Sequence, residues 1–395
     1  MTEALQGITV LEVSGTSPGS FCTMMLACMG AEVLKIEPPA AHERGRRGVS
    51  AYLDRNKKSL GLDLNSAAGQ EILHRLAGSA DVLVESFQPG AMQRLNADYP
   101  TLSRINPRLI YCSLSGYGQS GPYRDLPGAD VTYLAMSGVL DLIGEADRPP
   151  AIPLNLIADY GGAAMHGAVG ILLALYARGN SGRGQHVDVS HLDATLSMLA
   201  ASPLMVPFFD GGVTPRRGQG PYSGRYAFYT TYETQDGKRL SVGSSEPWLW
   251  KNLCEALGRP DLSRYARGPE HLTRGPTPEE ARVREELQAV FRQRGRDDWL
   301  AYLADKNVCV SAVNSLSEVF EDPQVQHRNM LVQPEAPAGE DRDNHQVGMG
   351  IKLSDTPGRV RHPAPQPGQH TDEILSSLGY GESDLKSLRQ QRVVG

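Results

Sequence analysis

Cysteine is scarce in this chain: five residues, Cys22, Cys28, Cys112, Cys254 and Cys309, in 395. They are odd in number, scattered and mostly set in apolar segments, which excludes a disulfide framework and a CxxC metal site and predicts buried thiols in a cytoplasmic protein. Excess positive charge is also lacking. The net charge of −6 argues against a nucleic-acid binder or a protein of anionic membrane surfaces. No apolar stretch reaches the ~18 residues of a membrane span without a glycine or a charge. The N-terminus has neither a basic segment nor an apolar stretch fit for export. GxGxxG and GxxxxGK[ST] are both absent, so neither the dinucleotide fingerprint nor the P-loop is present. The ten histidines show no HxxxH and no His–Cys pair at ligand spacing, and no metal site is expected.

With 40% hydrophobic and 21% charged residues, the composition is that of an ordinary globular protein, long enough for two domains. The first third alternates strand and helix. Strands are expected at 8–13, 32–36, 59–64, 81–85 and 109–113, with helices at 21–29 and 67–76, which predicts a parallel α/β sheet with right-handed crossovers. Ligands would then bind beyond the carboxyl ends of the strands, where residues 15–19, 37–47, 86–90 and 115–127 fall. A further strand covers 185–190. Residues 201–224, rich in proline and glycine, read as a linker or flap. A smaller α+β domain follows at 225–330. It has a hairpin (226–233 and 239–243), helices at 246–257, 278–291 and 299–303, a strand at 309–313 and a helix at 316–328. Residues 331–395 return to the large domain (1–200), with a strand candidate at 347–353 and a helix at 372–378.

The stretch 150–177, PAIPLNLIADYGGAAMHGAVGILLALYA, concentrates the chemical signal. Asp159 stands between an apolar segment and an apolar helix, followed by Gly161 and Gly162. A carboxylate there is either a helix N-cap or a reactive group held by free backbone N–H groups. The glycines permit close approach of a backbone or a ligand. Arg44, Arg46, Arg47, Arg55, Lys57 and Lys58 form a basic region, either a solvated loop or a phosphate site.

Nine segments in order carry a resemblance, among them LQGITVLEVSG (5–15), MLACMGAEVLKIEPP (25–39), NKKSLGLDLNS (56–66), ADVLVESFQPGAMQRL (80–95), NPRLIYCSLSGYGQSGPY (106–123), PLNLIADYGGA (153–163) and SGRGQHVDVS (181–190). The chain resembles the class III (CaiB/BaiF-type) acyl-CoA transferases, a family that includes the α-methylacyl-CoA racemases. The resemblance implies a Rossmann-like large domain, a small domain and an interlocked homodimer. It implies coenzyme A thioesters as substrates with no tightly bound cofactor, and a carboxylic acid as acceptor. The family's catalytic aspartate falls on Asp159. The coenzyme A contacts fall on Thr16, Ser17, Leu62, Asn65, Ser86, Phe87 and Arg94. Pro38 stands where a relative has arginine and Ser86 where many have asparagine; the basic region at 44–58 would compensate.

The middle of the chain resembles the racemase branch, whose second base is the histidine of a Gly-His-Asp triplet. Here the triplet reads Gly128-Ala129-Asp130, and a methyl group exchanges no proton. Glu246 matches the glutamate that supports the missing histidine. His166, two helical turns past Asp159, would sit about 10 Å along the axis from it; it, His186 and His191 are expected to be structural. A transferase needs only one nucleophilic carboxylate. The expected activity is therefore coenzyme A transfer through an aspartyl anhydride on Asp159. Backbone N–H groups near Thr16–Ser17 or Gly161–Gly162 would stabilise the oxyanion, and a flap at Gly218-Gln219-Gly220 would exclude water. The alternatives are a 2-methylacyl-CoA racemase with an unidentified second base, and a non-catalytic acyl-CoA-binding subunit.

Overall fold

A computed structural model describes residues 2–39, 48–334 and 345–395. Its main sheet has six strands: β1 (Thr9–Val13), β2 (Glu32–Glu37), β3 (Lys57–Gly61), β4 (Val82–Glu85), β5 (Ile110–Ser115) and β6 (His186–Ser190). All pair in parallel, in the order β3-β2-β1-β4-β5-β6. That is the doubly wound order, with its switch point between β1 and β4. The largely apolar runs of β1, β2, β4 and β5 explain its centre: strands covered on both faces read as near-continuous apolar segments. Alternate residues serve opposite cores. Leu11, Leu34, Leu60, Leu83 and Tyr111 pack with α2 (Ala67–Ser79), α9 (Thr371–Ser377) and α10 (Glu382–Gln390). Val10, Val33, Val82, Ile110 and Cys112 pack with α1 (Ser17–Cys28) and α4 (Met165–Ser181).

The α1 face of the sheet also carries a buried charge network. Glu12 accepts from Lys57 at 2.7 Å, and Lys35 reaches Asp54 at 2.8 Å. Ser20 and Thr23 donate to the same Glu12 carboxylate. Two acids and two bases neutralise one another, and the hydroxyls fill the remaining lone pairs, as burial of charge requires.

Chain contacts define two compact units. The first comprises Met1–Tyr133, Asn155–Thr195 and Phe320–Gly395; the second Leu134–Leu154 and Leu196–Val319. Residues 134–154 and 196–200, expected within the large domain, join the second unit, and 320–330 the first. The second unit has an antiparallel sheet of β7 (Tyr229–Glu233), β8 (Arg239–Gly243) and β9 (Val310–Ala312). It packs with α6 (Pro247–Ala256), α7 (Pro278–Phe291) and α8 (Arg296–Leu303) around Trp250, Phe291 and Trp299.

Three expectations change. The helix at 316–328 is two pieces, Leu316–Val319 and Pro323–His327, because Pro323 starts a new helix capped by Asp322 rather than continuing the old one. The strand candidate at 347–353 shrinks to Gln346–Val347, paired with Leu331–Val332. Cys309 is exposed, although the other four thiols are buried.

Candidate active site

The backbone first places Asp159. Residues Leu156–Ala164 form a π-helical turn that runs into α4, a conformation that recurs at functional sites. Asp159 does not cap a helix. Asp130, the last residue of the triplet, does the capping: its Oδ2 accepts from the N–H of Ala158 at 2.8 Å and of Asp159 at 2.9 Å. The carboxylate of Asp159 is thereby released into a cavity of about 400 Å3 lined by Thr16, Ser17, Ser86, Phe87, Ser115, Ala129, Tyr133 and His191, among others. The cavity lies past the carboxyl ends of β1, β4 and β5, at the switch point of the sheet.

Tyr133, near the start of α3 (Asp130–Met136), forms one wall. It fits because Gly116 and Gly128 have no side chain: a Cβ on Gly128 would lie 2.3 Å from its ring, and one on Gly116 2.8 Å from its hydroxyl. The Tyr133 ring covers His191 at a centroid distance of 4.8 Å. His191 opens α5 (His191–Met198) directly after β6. Its Nδ1 is 2.9 Å from the Ser115 carbonyl and its Nε2 is 3.6 Å from Oδ1 of Asp159. Burial is the main influence on both groups. It pushes Asp159 up, with Asp130 adding to the rise and His191 opposing it. It pushes His191 down, against Ser115, Asp159 and Asp130.

The other expected site residues divide. Thr16, Ser17, Ser86 and Phe87 line the cavity; Thr16 donates to Ser86 at 2.8 Å, and Tyr160 donates to Ser17 at 3.0 Å. Leu62 does not: just past β3 it bridges to Val394 and its side chain is buried in the hydrophobic core. Asn65 is tied to Asp63 at 3.0 Å and, like Arg94, is exposed off the cavity wall. The cavity cation is instead Arg124, which donates to the Gln119 carbonyl. A Cβ on Gly90 would be 3.3 Å from Nη2 of Arg124 and 3.8 Å from Nη1 of Arg94, so the two guanidinium groups flank that glycine. Gly161 and Gly162 form part of the π turn. Glu246, in the second unit, precedes α6 and pairs with Arg267 at 3.5 Å.

Two expectations are corrected outright. Of the basic region, Arg55 is buried and donates to the Val347 carbonyl, Lys57 is buried in the charge network, and Lys58 pairs with Glu32 and Glu373. These side chains are committed to carboxylates and carbonyls of the fold, although Nε of Arg55 is buried without a hydrogen-bond partner among the described residues; Arg44, Arg46 and Arg47 lie outside the described residues. His191, expected to be structural, lines the cavity beside Asp159. His166 lies on the surface of α4 with its Nδ1 2.8 Å from the Gly162 carbonyl. The place of His191 follows from strand order, not from spacing to Asp159, and Arg124 falls in the stretch 115–127 expected at the ligand end of the sheet. The order β4-β5-β6 sets the residue after Ser190 beside Ser115.

The profile of CoA-transferase family III matches residues 5–371. The chain is 34% identical to alpha-methylacyl-CoA racemase of Homo sapiens, covering 99% of this chain and 97% of the relative. It is 33% identical to formyl-CoA:oxalate CoA-transferase of Streptomyces avermitilis over the whole of both chains. Among solved structures, a CAIB/BAIF family protein from Brucella suis superposes with a TM-score of 0.80 at 27% identity, covering 96% of this chain and 100% of that one.

Proposed function

Since the chain belongs to CoA-transferase family III, an enzyme family of acyl-CoA chemistry, we propose that it moves coenzyme A between an acyl-CoA thioester and a free carboxylic acid, with Asp159 as the nucleophile. The observation that carries the reading is the Asp159 carboxylate, 17% exposed on the wall of the switch-point cavity. Its backbone is held by Asp130, and its carboxylate, which accepts a side-chain hydrogen bond from Asn155, borders the ligand space. An oxygen of Asp159 attacks the thioester carbonyl carbon, the C–S bond breaks, and its electron pair leaves on sulfur as coenzyme A thiolate. The acceptor carboxylate then takes the acyl group from the aspartyl anhydride, or exchange proceeds through an aspartyl thioester, to give the new thioester. The N-terminus of α1 opens on the same cavity at Thr16–Ser17 with no side-chain cap, so free N–H groups and the helix dipole suit the developing oxyanion. The cavity also supplies the Phe87 ring and the Arg124 guanidinium for a nucleotide and its phosphates.

The racemase reading has support in the racemase relatives and in the imidazole beside Asp159. Distance ranks it second. Two bases on opposite faces of one carbon each stand about 3 Å from it, so about 6 Å apart, whereas Nε2 and Oδ1 are 3.6 Å apart. No carbon fits between them, and position 129 still offers a methyl group.

The test incubates the purified protein in deuterated water with acyl-CoA donors, 2-methylacyl-CoA among them, with and without a panel of carboxylic acids. New thioesters that depend on the added acid, and vanish in Asp159→Ala, are expected. Deuterium at the α-carbon with inversion and no acid dependence would replace the transferase by the racemase. Binding of coenzyme A thioesters with no turnover of any pair would leave the non-catalytic subunit.

A further inference from the structure

His191 is the group in this cavity that a lone-carboxylate mechanism leaves without a task. Its placement is specified by the fold. Ser115 and Ser190 are register partners at the ends of β5 and β6, and the next peptide is fastened by Leu192 N–H donating to the Gly116 carbonyl at 3.1 Å. The side chain is then fixed at both edges of its ring. A carbonyl oxygen only accepts, so the 2.9 Å contact to Ser115 puts the ring proton on Nδ1. In the neutral ring Nε2 is left bare. That bare nitrogen faces Oδ1 of Asp159 at 3.6 Å, under the Tyr133 ring. Two lone pairs facing each other repel, and one proton held between them turns the contact into an attraction.

We propose that His191 is the positioning acid–base partner of Asp159. Its Nε2 takes up the carboxyl proton, so that Asp159 meets the thioester as an anion, and the resulting imidazolium N–H holds Oδ1 while Oδ2 attacks. The step balances: the proton passes from carboxyl oxygen to Nε2, the Oδ2 electron pair forms the bond to the carbonyl carbon, and the C–S pair leaves on sulfur. The imidazolium remains to return its proton when the carboxylate is regenerated. The other ionisable groups facing the pair are Asp130 and Tyr133. Asp130 favours the imidazolium as Asp159 does. The Tyr133 phenol, pushed up to about 12 mainly by burial, stays neutral and contributes its ring. The inference rests on the reading of Asp159 as the nucleophile.

The first arm of the test needs no substrate. The full-length protein is labelled with ¹⁵N-histidine and titrated by NMR as wild type, His191→Asn and Asp159→Asn. Asparagine retains a donor for the Ser115 carbonyl and removes Nε2. We expect the resonances lost in His191→Asn to show the Nδ1–H tautomer. Their midpoint should fall by about one pH unit or more in Asp159→Asn, since the carboxylate that favours imidazolium is gone. An Nε2–H tautomer, or a midpoint that ignores Asp159→Asn, overturns the proposal. The second arm follows kcat/KM against pH for whichever donor and acid are turned over. Loss of the imidazolium should move the acid limb upward by about one unit in His191→Asn; an unmoved limb also overturns it. Circular dichroism and thermal unfolding identify a misfolded variant, in which case His191→Gln takes its place. Full activity in Asp159→Ala would instead remove the transferase reading and this inference together. An inactive Asp159→Ala with an unmoved limb in His191→Asn removes this inference alone.

Discussion

Asp130 spends one carboxylate oxygen on the N–H groups of Ala158 and Asp159, and its other oxygen is buried with no hydrogen-bond partner. The residue thus does two opposed things. It clamps the turn that presents Asp159, and its charge pushes the Asp159 carboxyl up. Asp130→Ala removes the clamp and should cost about 1 kcal/mol or more in chemical denaturation, as helix caps do, together with most of the activity. Asp130→Asn keeps an acceptor oxygen and removes the charge. Its acid limb in a kcat/KM–pH profile should therefore move down, the opposite direction from His191→Asn. Glu85, buried beside Ser86 at the end of β4, is a second case. Burial pushes it up to about 6 against hydrogen bonds from Ser113 and the Phe87 N–H. A carboxyl raised in the folded state stabilises the protein below its unfolded value, and that contribution is lost as pH rises through the folded value. The window runs from about 4 to about 6. Relative to wild type, Glu85→Gln should gain about 2 kcal/mol at pH 7.5 compared with pH 4, by the 1.36 kcal/mol per unit relation. Equal pH dependence in both proteins would show that Glu85 ionises freely.

At the scale of elements, legibility follows how local the cause is. β1, β2, β4 and β5 are legible because each is a short, largely apolar run, whereas β3 (Lys57–Gly61) begins two residues before the expected 59–64 because its first two residues are lysines. The acid at 159 is legible because so apolar a neighbourhood makes a charge conspicuous. The π turn left no mark, since a shift of the backbone ladder by one residue has no composition of its own. Asp130 looked like the residue after a missing base, and its capping role is visible only once residues 130 and 158 meet. Leu62 sits in a segment that resembles the family's coenzyme A contacts, but its side chain faces the core. Tyr133 depends on glycines in two different loops. Gly128→Ala would set a methyl 2.3 Å from the Tyr133 ring, so the ring must leave His191 or the loop must shift. We expect a loss of about 1–3 kcal/mol in thermal unfolding, the usual range for overpacking. A displaced His191 signal in the ¹⁵N titration should accompany it. An unchanged melting curve and unchanged signal would mean that the loop yields freely.

At the scale of the whole molecule, the decisive surface is on α4. Among the described residues the helix Leu156–Ser181 is long and apolar enough to cross a membrane, although glycines had hidden this from the sequence reading. Its first turns carry Asp159, held by the Asp130 carboxylate and packed against the sheet, and a polar clamp of that kind is costly in lipid. The outer face is a different matter. Met165, Val169, Leu172, Leu173 and Tyr176 recur at helical spacing and are all exposed, Leu173 by 64% and Tyr176 by 78%. A contiguous apolar stripe of this size marks an interaction surface. We propose that a second copy of the chain covers it, as the resemblance to the interlocked family dimers implies. Sedimentation equilibrium of the wild type should then give twice the chain mass of 42.8 kDa. Leu173→Glu buries a charge in that interface and should shift the mass toward one chain, with activity falling in parallel if the cavity depends on the pairing. A wild-type monomer, or a Leu173→Glu protein that remains dimeric at micromolar concentration, would remove this face from the interface. Flotation of the monomer with anionic vesicles would give the stripe to lipid instead.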